Sequence, residues 1–166
     1  MCADKYNVYN QGNRLLGTGD EVTLPSFEAS SETVSGAGVL GEFDDPTVGY
    51  FSNMEQEIPF RVLDQEAVDM LDQTKAVQLE LRGAQQTTDS NGDIEFRPMR
   101  VVVRGRMAGF DPGKVKAGNG METSVKLTIL YILIELEDQP MVELDKINEV
   151  FKIRGVDVLA KIREMC

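Results

Sequence analysis

The run at 125–136 alternates and then stops alternating. Val125, Leu127 and Ile129 interleave with Ser124, Lys126 and Thr128, but Ile129-Leu130-Tyr131-Ile132-Leu133-Ile134 is apolar without a break. A half-exposed antiparallel strand keeps one polar face. Strict alternation places Leu130, Ile132, Ile134 and Leu136 opposite Val125, Leu127 and Ile129. That second face needs a cover, either a helix of the same chain or a neighbouring copy. Burying the four side chains is worth about 1.5–3 kcal/mol each, together about 6–12 kcal/mol. Left bare, they form a patch that soluble monomers rarely tolerate. They are therefore the candidate inter-subunit apolar face.

With 166 residues, 42% of them hydrophobic, the chain is long enough for one domain, 1–166, with its own core. The formal net charge of −11 argues against a grip on nucleic acid, which needs a basic face. The chain has no histidine. The commonest general base and metal ligand are thus missing, as is any Ser-His-Asp or Cys-His arrangement. No enzyme chemistry and no cofactor are expected. Cys2 and Cys166 stand at opposite ends and make neither a disulfide framework nor a four-thiolate zinc site, so two free thiols in a reducing compartment are expected. The polar start Met-Cys-Ala-Asp-Lys-Tyr-Asn predicts no leader, and the apolar run near Leu130 is too short for a membrane anchor. Cys166 is the last residue, whereas a prenylation box has its cysteine fourth from the end. Synthesis in the cytoplasm follows.

Along the chain, Asn13-Arg14-Leu15-Leu16-Gly17 and Glu21-Val22-Thr23-Leu24-Pro25 read as short strands. Residues 36–54 crowd Gly36, Gly38, Gly41, Pro46 and Gly49 into an extended loop or a loosely paired hairpin arm. A strand follows at 57–62, with Pro59 marking an edge or bulge. Asp64 then caps a short helix whose stripe is Ala67, Val68 and Leu71. Val77, Leu79 and Leu81 alternate with Gln78, Glu80 and Arg82 in a half-buried strand. Asn91-Gly92 marks a hairpin, with the return strand running from Ile94 to Arg106. A Gly-rich connection at 109–120 leads to a long strand at 122–137, a turn at 138–140 and a strand at 141–150. A last helix at 158–165 is capped by Asp157. Six to eight strands and two short helices predict a mainly β domain. It would be an antiparallel sandwich or partly closed barrel with one packed helix and a short C-terminal helix.

Several motifs invite chemistry and lack its context. Gly36-Ala37-Gly38-Val39-Leu40-Gly41 has dinucleotide-loop spacing but opens no helix. Asp89-Ser90-Asn91-Gly92-Asp93 lacks the glycine and glutamate positions of a calcium loop and reads as a hairpin turn. Glu135 and Glu137 share a strand face, at an end where solvated charge is ordinary. Arg100, Arg104 and Arg106 also share a face, and in so acidic a chain they pair with carboxylates on an adjacent strand or a neighbouring subunit.

Several fragments, in order, resemble one family. They are Tyr9-Asn10 with Gly12-Asn13, then Glu21-Val22-Thr23-Leu24-Pro25, then Ser35-Gly36-Ala37-Gly38 with Gly41-Glu42 and Pro46-Thr47-Val48-Gly49. They continue with the strand Met54–Arg61, Met99-Arg100-Val101-Val102-Val103-Arg104-Gly105-Arg106 and Val142-Glu143-Leu144-Asp145-Lys146-Ile147-Asn148, and finish with Gly155-Val156-Asp157-Val158-Leu159-Ala160-Lys161-Ile162-Arg163. In this order and spacing the chain resembles the major tail tube proteins of contractile-tailed bacteriophages and related phage-tail-like particles.

The resemblance implies a ring-forming subunit. Hexameric rings would stack into a hollow tube inside a sheath, and DNA would pass through without specific binding. It further implies tail sheath, baseplate or initiator, and tape-measure proteins as partners, and a place in the virion tail. Gly36, Gly38, Gly41, Glu42, Pro46, Val48 and Gly49 become a ring-stacking loop by the same resemblance. The alternatives are a monomeric β-barrel that binds a small ligand, or the tube subunit of a bacteriocin-like or secretion particle.

Overall fold

The spine of the fold is β8 (Thr123–Leu136), which changes neighbours halfway along. On one edge it pairs with β7 (Ile94–Asp111) throughout. On the other edge, residues 123–128 pair with β5 (Glu55–Phe60), and residues 131–136 pair with β9 (Gln139–Asp145). The handover falls on Ile129 and Leu130. The Ile129 amide donates to the Met54 carbonyl (2.8 Å), and the Lys146 amide donates to the Leu130 carbonyl (2.9 Å). There the ladder with β7 skips a residue: Gly105 stands opposite Ile129 and Arg104 opposite Tyr131, leaving Leu130 as the insertion. This is a β-bulge, which shifts side-chain phase and bends the strand.

The bulge corrects the two-faced reading of the apolar run. Val125, Leu127, Ile129 and Ile132 all lie in one buried cluster, with Ile132 only 1% exposed and Ile134 packed against the cluster. Leu133, which strict alternation would have put beside Ile129, instead pairs with Val102 and Glu143, outside that cluster. One inserted residue thus sends the even-numbered side chains to the side the odd-numbered ones had occupied. Gly105 permits the close approach, because a Cβ there would overlap the Thr128 carbonyl.

The computed structural model describes residues 2–15 and 18–166, with side chains from Lys5 onward. Leu16 and Gly17, read above within a short strand, and the side chain of Cys2 lie outside that description. The main sheet runs in the order β11-β10-β9-β8-β7-β6-β1-β2, with β5 on β8. Its remaining members are β1 (Cys2–Asn10), β2 (Asn13–Arg14), β6 (Val77–Thr88), β10 (Val150–Ile153) and β11 (Val156–Asp157). β3 (Ala29–Ser35) and β4 (Glu42–Phe51) pair with each other as a separate two-stranded sheet. Every pairing is antiparallel, so the chain is mainly β as expected, and the described strands do not close into a barrel.

The core fills the sheet face bearing Val8, Leu79, Leu81, Val101 and Val103. Leu15, Met54, Phe60 and the short helix α1 (Gln65–Asp69) cover it. The Asp64 side chain caps α1 by accepting from the Gln65 amide (2.6 Å), as its residue type predicts. Ala67 and Met70 point inward while Val68 stays exposed, so the buried stripe is one notch from that read in the sequence. Gln56, fully buried, donates to the carbonyl of Thr23 (2.8 Å) and ties residues 21–27 to the sheet; the expected strand there is an irregular segment instead.

The expected strand at 141–150 is two strands. Asp145 ends the first by accepting from the amides of Ile147 and Asn148 (both 3.0 Å), a side-chain turn that competes with the ladder. Glu137 leaves the long strand and, with Asp138, forms the tight turn into β9 at positive φ. α2 (Ala160–Arg163) is shorter than the helix read in the sequence. Asp157 accepts from the Leu159 amide (3.0 Å) and pairs with Arg163 across it.

The bulge makes a prediction that strict alternation reverses. Ile132→Asp puts a carboxylate in the core and abolishes cooperative folding, a loss of more than about 3 kcal/mol. Leu133→Asn, on the other face, leaves a folded protein with a loss of about 1–2 kcal/mol. Thermal melts followed by circular dichroism check the order, and a greater loss for Leu133→Asn contradicts it.

Candidate functional site

The sheet face turned away from the core is built of charges that hold one another. Arg100 lies between two carboxylates, donating to Glu80 and to Glu135 at 2.7 Å each. Arg82 also donates to Glu80 (2.6 Å) and stacks over the Tyr9 ring at 4.7 Å. Arg104 pairs with Asp145 (3.7 Å) and covers the Tyr131 ring at 4.9 Å. The Tyr131 hydroxyl donates to Glu143 (3.3 Å), and Val102 is buried beneath this lattice. The spacing follows from register: Arg82, Arg100 and Glu135 are direct cross-strand neighbours, as are Arg104, Tyr131 and Asp145.

The lattice shifts its members' proton affinities. Hydrogen bonds from Arg100 and then Arg82 hold Glu80 below the usual carboxylate range, and bonds to Glu80 and Glu135 raise Arg100. Burial pushes Asp145 up, but the Asn148 side chain and amide, the Ile147 amide and Arg104 outweigh it and hold its carboxyl low. Burial and Glu143 raise the Tyr131 hydroxyl. Arginines so engaged present little free charge to a passing polyanion. Glu135 and Glu137, read above as neighbours on one face, part company: Glu135 joins Arg100, and Glu137 sits in the turn against Arg97 (3.2 Å).

The second feature is the arm. Within β3 and β4, Thr33 Oγ1 donates to Asp44 across the strands (2.7 Å). Gly36 and Gly41 sit in the turn at its tip, so the G-x-G-x-x-G spacing is a hairpin end with no helix behind it. Of the loop residues singled out in the sequence, Gly36, Gly38, Gly41, Glu42, Pro46 and Val48 are exposed along this arm. Leu40 is fully exposed at the tip, and Phe43 and Tyr50 are exposed farther down. A lone two-stranded ribbon with apolar groups in water is marginal by itself.

The base of the arm is anchored. Phe51 packs edge-on against Phe27 and Phe151, with ring centres 5.7 and 5.1 Å apart. Lys146 donates to the Ser52 carbonyl (2.8 Å), and burial lowers its pKa. Gly49 lies so close to Leu159 that a Cβ would come within 2.6 Å of it. A cavity of about 520 Å³ opens between the arm base and α2, lined by Val48, Tyr50, Leu144, Leu159, Ile162 and Cys166 among others. Cys166 is a free, exposed thiol.

The inter-subunit apolar quartet is divided. Ile132 is enclosed by the chain's own core, while Leu130, Ile134 and Leu136 are half-buried. Asp89 closes the β6–β7 hairpin by accepting from the amides of Asn91 and Asp93 (2.8 Å each). Among the described residues no group of three or more histidine, cysteine, aspartate or glutamate side chains could hold a metal ion, and no helix is long and apolar enough to cross a membrane.

The charge lattice gives a pH prediction. Glu80 is depressed in the folded state, so its stabilisation is full above about 4.5, its ordinary value, and fades as the pH falls through its lower folded value. Glu80→Gln should therefore lose about 1–2 kcal/mol in urea unfolding at neutral pH. That difference should shrink once the wild-type carboxylate is protonated, and an equal gap at pH of about 3 contradicts the lattice.

Comparison with known proteins gives this arrangement a family. A family model described as phage tail tube protein FII matches residues 4–165. The chain is also 26% identical over 166 residues to the tail tube protein of Escherichia phage P2, covering 95% of this chain and 91% of that one. With the match spanning nearly every strand of the sheet, the arm and both helices, the chain belongs to the phage tail tube protein FII family.

Proposed function

We propose that this chain is the subunit of the inner tube of a contractile tail. It assembles as hexameric rings that stack into a hollow conduit for DNA. The observation that carries the reading is the arm: a hairpin that pairs only with itself, held firmly at its base and apolar at its exposed tip. A monomer has no use for such an element, whereas a head-to-tail stack does, because heterologous contacts that do not close generate open filaments.

The loop residues Gly36, Gly38, Gly41, Glu42, Pro46, Val48 and Gly49 belong to that stacking role. Leu130 and Leu136, both half-buried, extend the contact between neighbours within a ring, while Ile132 and Ile134 pack in the chain's own core. The charge lattice suits a conduit wall. Arg82, Arg100 and Arg104 are engaged by fixed carboxylates, and the chain as a whole carries a net charge of −11, so phosphate finds little there to hold it. The outside of the tube would meet a sheath, and its ends a baseplate or initiator and a tape-measure protein. Its role is structural, and its place is the virion tail after synthesis in the host cytoplasm.

Shortening the arm tests the stacking role without touching the core. Thr33 and Asp44 are cross-strand partners, so replacing residues 34–43 by Asn-Gly closes the hairpin early in the same register. The variant should keep the wild-type circular dichroism and melting temperature yet form no long tubes under negative-stain microscopy. Long tubes of normal width from it overturn the role.

A further inference from the structure

The arm carries an exposed apolar tip, and the same chain carries a largely apolar cavity. From the base pair Ala29–Phe51 to the last pair Ser35–Glu42 the arm runs six residues, about 20 Å. The cavity lies at the base, against Val48, Tyr50, Leu159 and Ile162. Leu40 is fully exposed, so the tip does not fold back into its own cavity. Only another copy can bring the two together.

Charge sorts the two ends in the same sense. The arm holds Glu32, Glu42, Asp44 and Asp45 and no basic residue. Within the cavity Lys146 and Arg163 stand against Asp145 and Glu149, while Lys152, Arg154 and Lys161 lie farther along the same segment, so residues 146–163 carry five basic side chains against Glu149 and Asp157 in a chain of net charge −11. Oppositely charged patches steer encounter and fix orientation.

We propose that the arm tip of one copy, led by Leu40 with Val39 and Phe43, seats in the cavity between the arm base and α2 of the next copy. This rests on the stacking reading and deepens it by naming the receptor. The contact joins two different patches, so each seated tip leaves one free tip and one free cavity, and the chain of copies stays open-ended. It also accounts for the anchoring of the arm base. The Phe27–Phe51–Phe151 cluster and the Gly49–Leu159 contact fix the outgoing arm and the incoming cavity as one rigid unit.

The free thiol at the cavity rim gives the test. In a Cys2→Ser background, Leu40→Cys is assembled into tubes, treated with copper-phenanthroline as oxidant and run on a non-reducing gel. A disulfide forms only where Cα atoms come within about 7 Å. Seating of the tip beside Cys166 predicts a ladder of covalent multimers, lost at least about tenfold when Cys166→Ser is added. Ser90→Cys, at the tip of the β6–β7 hairpin, sets the collisional background. Tubes in which Leu40→Cys cross-links no better than Ser90→Cys overturn the proposal and leave the stacking reading standing. A product that stops at dimer overturns the head-to-tail geometry. Where Leu40→Cys stops assembly, Val39→Cys takes its place, and Ile162→Asp reads the receptor side, where normal tubes overturn the proposal. Failure of the unaltered chain to form tubes under any condition strikes the stacking reading instead.

Discussion

The insertion of Leu130 opposite Gly105 governs how this chain divides its apolar residues. Without it, β8 would bear two apolar faces and the domain would need a second layer. With it, Val125, Leu127, Ile129, Ile132 and Ile134 serve one core, and the far half of the strand is free to pair with β9 instead of β5. The handover and the phase shift fall on the same two residues, with Met54 and Lys146 supplying the backbone bonds on either side. A bulge placed where a strand changes neighbours satisfies the displaced backbone groups that it would otherwise strand.

A core completed inside one chain leaves other parts for association. The outer face of β6 to β9 is a closed set of ion pairs over Val102, more suited to meeting water or a polyanion without holding it than to packing on protein. The arm and the C-terminal segment are the reverse: exposed, apolar at intervals and opposite in charge. The fold thus separates what holds the subunit together from what the proposed assembly uses to join subunits.

Much of the β architecture was legible. Strict alternation at Val77-Gln78-Leu79-Glu80-Leu81 gave β6, Asn91-Gly92 gave its hairpin, and Asp64 gave the helix cap, because each is a local rule obeyed locally. The ordered motifs from Tyr9 to Arg163 pointed to the family that the chain belongs to. The bulge escaped notice because an insertion inside an all-apolar run leaves no polar residue out of phase. Gly105, between two arginines in a strand, was the one signal. β1 and β3 were missed for a different reason: Lys5 to Asn10 and Ala29 to Ser35 are largely polar, and β1 takes its pairing from β6 far along the chain while β3 pairs with β4 across a Gly-rich turn without a two-residue hairpin signal. Arg100 and Arg104 were read correctly as carboxylate-paired, with their partners Glu80, Glu135 and Asp145 visible only once the register was fixed, whereas exposed Arg106 has no ion pair among the described residues.

Amide hydrogen exchange on the free chain and on assembled tubes tests this division most directly. The account predicts that β6, β7 and β8 are equally protected in both states, since their core is complete beforehand. Amides of residues 29–51 and 146–163 should pass from fast exchange to strong protection on assembly. Protection that arises mainly in β8, with the arm unchanged, would contradict the account by making that strand, and not the arm, the main joint between copies.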